Sequence, residues 1–146
     1  ILDNIRYGRW DATDEECKEA ARMIFADKFI QRLNGGYDHV LEERGSGLSA
    51  GERQLISFAR IVLKNPSVVI LDEATSAIDT ETELLIQEAL EILLKGKTAF
   101  IVAHRLSTVR NADRILYISN QGIAEEGTHE ELMAKRGLYY DLASCS

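Results

Sequence analysis

The chain has 146 residues, with 17 Lys+Arg against 24 Asp+Glu, for a formal net charge of −7 at pH 7. A composition that is 45% apolar and 28% charged, with one proline, excludes a disordered chain, and the length suits one domain or part of a larger one. The acidic balance argues against a broad nucleic-acid face, which needs clustered basic charge, but leaves a local anion site at a helix N-terminus open.

The chain opens on Ile1-Leu2-Asp3-Asn4-Ile5-Arg6, without an initiator Met or a signal-peptide pattern, and is expected to begin inside a longer protein. Thr13 and Glu16 stand at capping-box spacing, and Cys17, Ala20, Ala21, Ile24 and Phe25 follow with helical period, which predicts an amphipathic helix. A shorter helical stretch over 28–33 stops at Asn34-Gly35-Gly36. After a glycine-bearing loop over 42–47, Ser49 and Glu52 form a second capping box. Leu55, Phe58, Ala59, Val62 and Leu63 give its helix one apolar face, which ends before Asn65-Pro66.

Val68-Val69-Ile70-Leu71 is wholly apolar and predicts a strand buried on both faces, as in parallel sheets. Thr80 and Glu83 cap a helix running to about Leu94, and a second buried strand is expected over 98–102. A helical turn at 107–110 precedes strands at 115–119 and 123–126, joined by a turn at Asn120-Gln121-Gly122. Thr128 and Glu131 cap a further helix, and a helical tail follows Gly137. The alternation of strands and helices after a mainly helical first 65 residues predicts an α/β fold. Cys17 and Cys145 are too far apart in sequence to read as a disulfide framework or a zinc site, and no apolar run approaches membrane-spanning length.

Asp72-Glu73 closes the first predicted strand, at the edge where open α/β sheets hold their ligands. One carboxylate can hold hydrated Mg²⁺ while its neighbour orients or deprotonates a water, although a polar strand end accounts for the pair taken alone. His104 ends the next predicted strand and can reach a phosphate oxygen or a water from the same edge; a loop histidine is the plainer reading. His39 and His129 carry no functional signal. Ser49 and Glu52 are explained by a helix cap, but Gly51 is costly in a first turn unless backbone must approach something closely. Hydroxyl, bare amides and the positive helix end together make a phosphate contact. Gly96-Lys97-Thr98 imitates the end of a phosphate loop, but Glu91 stands where that loop needs its first glycine, and the segment runs from helix into strand.

These residues resemble a known family. Leu48-Ser49-Ala50-Gly51-Glu52 is similar to the signature motif of ATP-binding-cassette (ABC) ATPases, and Val68–Glu73 to their Walker B strand with its catalytic glutamate. Ser76-Ala77-Ile78-Asp79 resembles the D-loop and His104 the switch-loop histidine, all four in family order and spacing. Ile1–Gly8, Glu43-Arg44-Gly45, Ala103–Thr108 and Glu126–Leu132 resemble the flanking segments of exporter-type cassettes. The resemblance implies a partial P-loop NTPase (ABC ATPase) fold: a helical signature subdomain over 1–65 and the C-terminal part of a RecA-like parallel-sheet core over 66–146. The Walker A lysine would lie upstream of Ile1, so the chain alone is expected to be inactive. In the family's sheet the phosphate-loop strand lies between the strand ending at His104 and the one at 115–119. The chain alone is therefore expected to rearrange there, to fill the gap from another chain, or to self-associate.

The roles that follow from the resemblance are specific. Asp72 is expected to hold Mg²⁺, Glu73 to polarise the attacking water and His104 to contact the γ-phosphate of ATP. Ser49, Ala50, Gly51 and Glu52 are expected to meet ATP bound to a second nucleotide-binding domain, and Asp79 to link the two sites. The Glu43 region would contact coupling helices of a transmembrane domain at the cytoplasmic face of a membrane, with no nucleic-acid partner. Ala50 and Glu52 stand where the signature usually has Gly and Gln, which leaves open whether the site they complete is fully active. The alternative is a non-transport cassette ATPase acting on DNA or in translation.

Overall fold

The structure, a computed structural model, describes residues 1–42, 46–72, 80–103, 106–120 and 122–145. The side chains of residues 80, 81 and 107 are not among those described. Two compact units result, 1–100 and 101–146.

In the first unit, helix formation follows the caps expected from the sequence. Helix α2 (Asp14–Met23) starts at Thr13, whose Oγ1 accepts from the Glu16 amide at 3.2 Å while the Thr13 amide donates to the Glu16 carboxylate at 2.8 Å. That backbone hydrogen bond, followed by the Arg9 guanidinium, holds the Glu16 carboxyl below its ordinary pKa. The helix ends at Met23, short of the periodic pattern, because Phe25 turns into the left-handed region at φ 64°. Helix α3 (Asp27–Ile30) and a 3₁₀ turn (Gly36–Asp38) follow. Helix α4 (Ala50–Lys64) starts at Ser49 and stops at Asn65, which takes φ 48° before Pro66. Its buried Leu55, Ile56, Phe58, Ala59 and Leu63 join Cys17, Ala20, Ala21, Ile24 and Ile30 in one core. The small residues of α2 let the two helices approach closely.

One helix has no signal in the sequence. Helix α1 (Leu2–Arg6) has no side-chain cap and only five residues, too few to hold itself together in water. Packing makes it: Ile5 is fully buried, and Arg6 donates to the Ala12 carbonyl at 2.7 Å and to Asp14 at 2.6 Å. Gly8 then passes against α4 so closely that a Cβ there would collide with the Arg60 carbonyl oxygen.

Strand β1 (Val68–Asp72) leads through helix α5 (Thr80–Leu94) to β2 (Thr98–Val102), its sheet neighbour. The Thr98 amide donates to the Ser67 carbonyl at 3.0 Å, joining the starts of the two strands, so they run parallel. The expectation of burial on both faces is corrected here. Val69 is buried, but Ile70 is 75% exposed, and Val68, Phe100 and Val102 are each more than half exposed. An apolar run reports what a strand is suited to bury; among the described residues only one side of β1 meets a packed layer.

The second unit pairs β3 (Ile115–Ser119) with β4 (Gly122–Gly127), antiparallel, from Ile115 opposite Gly127 to Ser119 opposite Gly122, with an irregularity between Tyr117 and Ile118. Helices α6 (Leu106–Arg110), α7 (His129–Lys135) and α8 (Leu138–Ser144) complete it around Ile115, Leu132 and Tyr139. The Glu125 carboxylate accepts from the Leu138 and Tyr139 amides at 3.0 and 2.8 Å. His129 Nδ1 lies 2.7 Å from the buried Tyr139 hydroxyl, a structural use for a histidine that the sequence left without one. Among the described residues β1 pairs with β2 and β3 with β4.

The close approach at Gly8 gives the first test. Gly8→Ala should destabilise the protein by about 1–3 kcal/mol, the usual cost of forcing extra volume into a packed contact. Denaturant unfolding checks it, and an unchanged midpoint would show that the two backbones are free to separate.

Candidate anion site at a helix start and a strand end

The start of α4 is held by a reciprocal pair of hydrogen bonds. Ser49 is extended (φ −65°, ψ 163°), its Oγ accepts from the Glu52 amide at 3.1 Å, and its own amide donates to Glu52 Oε2 at 2.8 Å. Two consequences follow. The Ser49 oxygen acts as acceptor in the cap, so its O–H remains available to donate to an anion. The Glu52 carboxylate is turned back onto its own helix end, where the positive end of the dipole offsets its charge.

The next two amides, of Ala50 and Gly51, have no acceptor among the described residues, as the first turn of a helix requires. Gly51 is buried and Ser49 exposed, so the hydroxyl stands at the surface over a tightly packed turn. Arg53 adds a contact that the sequence does not signal: Nη1 donates to the Leu48 carbonyl at 2.5 Å and fixes the peptide just before Ser49. An arginine on the second turn of an amphipathic helix reads as solvated surface, and no spacing rule marks it otherwise.

Asp72 is the last residue of β1 and is exposed, at the C-terminal end of a parallel pair. No hydrogen bond joins it to Ser49 or Glu52; the two features sit on separate elements. Among the described residues no three His, Cys, Asp or Glu side chains gather as a resident metal site would need. A single exposed carboxylate still suits Mg²⁺, which keeps most of its waters and takes one or two protein oxygens. Glu73, Asp79 and His104, and the Glu43–Gly45 segment, lie outside the described residues.

A capped, anion-competent helix start and an acidic parallel strand end, set in an α/β chain, make up a partial ABC ATPase fold. The sequence profile of the ABC transporter family matches residues 3–76, and the chain belongs to that family. It is 56% identical over 142 residues to an uncharacterized ABC transporter ATP-binding protein, YknV, of Bacillus subtilis, covering 97% of this chain and 24% of that protein. It is 54% identical to an ATP-dependent lipid A-core flippase of Syntrophus aciditrophicus, with 97% and 24% covered. It is also 55% identical to a putative multidrug export ATP-binding/permease protein of Staphylococcus aureus, with 99% and 25% covered. Among solved structures, a bacterial Atm1-family ABC exporter with ATP bound superposes with a TM-score of 0.85 at 40% identity, over 97% of this chain and 25% of that one. The chain thus spans about a quarter of the length of these three relatives. No helix among the described residues is long and apolar enough to cross a membrane.

The cap makes a separable prediction. Ser49→Ala removes the acceptor for the Glu52 amide and should cost about 1 kcal/mol of stability. Glu52→Gln keeps an oxygen for the Ser49 amide and should stay within about 0.5 kcal/mol of the parent. Equal losses in denaturant unfolding would show that the charge of Glu52, rather than its reach, holds the helix start.

Proposed function

We propose that the chain is part of the ATP-binding and hydrolysing domain of an ABC exporter. Residues 1–65 contribute its helical signature subdomain and 66–146 the C-terminal part of its core. The observation that carries this reading is the Ser49 hydroxyl, fixed as an acceptor inside its own cap and so left with a proton to donate to phosphate. The identity to exporter relatives across almost the whole chain supports it. So does the apolar surface on β1 and β2, which suits strands made to be covered by the rest of a larger domain.

ATP with Mg²⁺ supplies the phosphoryl group and the charge that neutralises it. Asp72 would hold the metal, from the strand end where its carboxylate is exposed. Glu73, the next residue, takes the proton of the attacking water, and His104 donates a hydrogen bond to the γ-phosphate. Ser49 and the Gly51 amide act on nucleotide held by a second nucleotide-binding domain, and Asp79 links the two sites across that interface. Nucleotide between the domains draws them together, and hydrolysis lets them part. The Glu43 region passes this motion to the transmembrane domain at the cytoplasmic face of the membrane.

Glu73→Gln in the intact protein tests this reading. Steady-state ATP turnover should fall at least about a hundredfold, the scale of removing a general base, while the nucleotide dissociation constant changes little. Turnover within about twofold of the parent would exclude Glu73 from the chemistry.

A further inference from the structure

We infer that Arg60 is a positioning residue for Ser49, acting through a latch that joins α4 to the segment carrying α1. The inference rests on the proposed role of Ser49. Arg60 lies near the C-terminal end of α4, and its guanidinium reaches back to Asn4: Nε donates to the Asn4 carbonyl oxygen at 2.8 Å and Nη2 to Asn4 Oδ1. Two acceptors on one residue engage two donors of a planar group, which fixes orientation as well as distance. The backbone is held too, because the Arg60 carbonyl meets Gly8, where no side chain fits. Asn4 lies within α1 and Gly8 in the turn after it, so that segment grips α4 by side chain and main chain at one point.

Among the described residues, the packing of α4 against its neighbouring helices is apolar. Its apolar face meets Cys17, Ala20 and Ala21, whose packing sets how near the helices lie but is non-directional. Ser49 stands eleven residues before Arg60 on one unbroken helix, about 16 Å away at 1.5 Å per residue. A swing of about 5° about the latch would carry the hydroxyl through about 1.4 Å, and a misplacement of about 1 Å costs on the order of a hundredfold in rate. The directional hydrogen bonds to Asn4 oppose that swing, beside the packing of α4 against α2 and α5.

The test is a double-mutant cycle on ATP turnover in the intact protein, using Arg60→Gln, Asn4→Ala and Ser49→Ala, with melting temperatures measured alongside. Arg60→Gln should lower turnover about ten- to a hundredfold, and Asn4→Ala, which keeps the backbone acceptor, less. Combined with Ser49→Ala, each should add less than about twofold, because a hydroxyl already absent cannot be misplaced. A second readout needs no nucleotide: the distance distribution between spin labels at Ser46 and Lys95 should broaden in Arg60→Gln. Losses that multiply in the Ser49→Ala background, or an unchanged distribution, would reduce Arg60 to a packing contact and overturn the inference. If Arg60→Gln does not fold, Asn4→Ala with and without Ser49→Ala decides between the same two outcomes. Full turnover in Ser49→Ala alone would instead overturn the proposed function, and this inference with it.

Discussion

Helix α4 is the strut on which the first unit is built. Its apolar side anchors the core through Leu55, Phe58, Ala59 and Leu63, while directional hydrogen bonds settle both of its ends. At the start, Ser49 and Glu52 satisfy each other's backbone amides; at the finish, Asn65 turns left-handed and its amide donates to the Ile61 carbonyl at 2.8 Å. A helix fixed this way can present a hydroxyl, and two amides that have no acceptor among the described residues, at one spot. Hydrophobic burial supplies most of the energy, and the polar ends decide where the chemistry stands.

The same division explains what is legible in the sequence. Thr13–Glu16, Ser49–Glu52 and Thr128–Glu131 each signal a helix through a local rule, and each forms both of its hydrogen bonds. Asp72 falls at the end of β1 as the apolar run before it implies. What is not legible depends on partners distant in the chain. Helix α1 exists because Ile5 is buried and Arg6 is tied to Ala12 and Asp14, and nothing within five residues encodes that. Gly8 looks like a loop glycine until the Arg60 carbonyl is placed against it. The exposure of Ile70 and Phe100 is hidden for the opposite reason: their composition describes a covered strand, and covering is a property of neighbours.

Glu52 resolves one electrostatic difficulty of the candidate site. A carboxylate in a first turn proposed to meet a triphosphate looks like a repulsive intruder, since like charges a few ångströms apart are costly where water is excluded. Its oxygen instead accepts from Ser49's amide at 2.8 Å, so the charge is directed onto the helix terminus and the hydroxyl stays free to donate. Glu16 on α2 and Glu131 on α7 use the same geometry far from any candidate chemistry. Thr13 and Thr128 are exposed as Ser49 is, and what their helix starts lack is the buried glycine that Ser49 has beside it in Gly51.

The central claim is that the start of α4 and the end of β1 belong to two nucleotide pockets, each completed by a second copy or a paired domain. A structure of the intact protein carrying Glu73→Gln, with ATP and Mg²⁺ bound, tests it most directly. The account predicts that each triphosphate lies between two nucleotide-binding domains, with Asp72 on its metal side and the Ser49 hydroxyl of the opposite domain within hydrogen-bond distance of the γ-phosphate. A triphosphate bound away from both Asp72 and any Ser49 would contradict it.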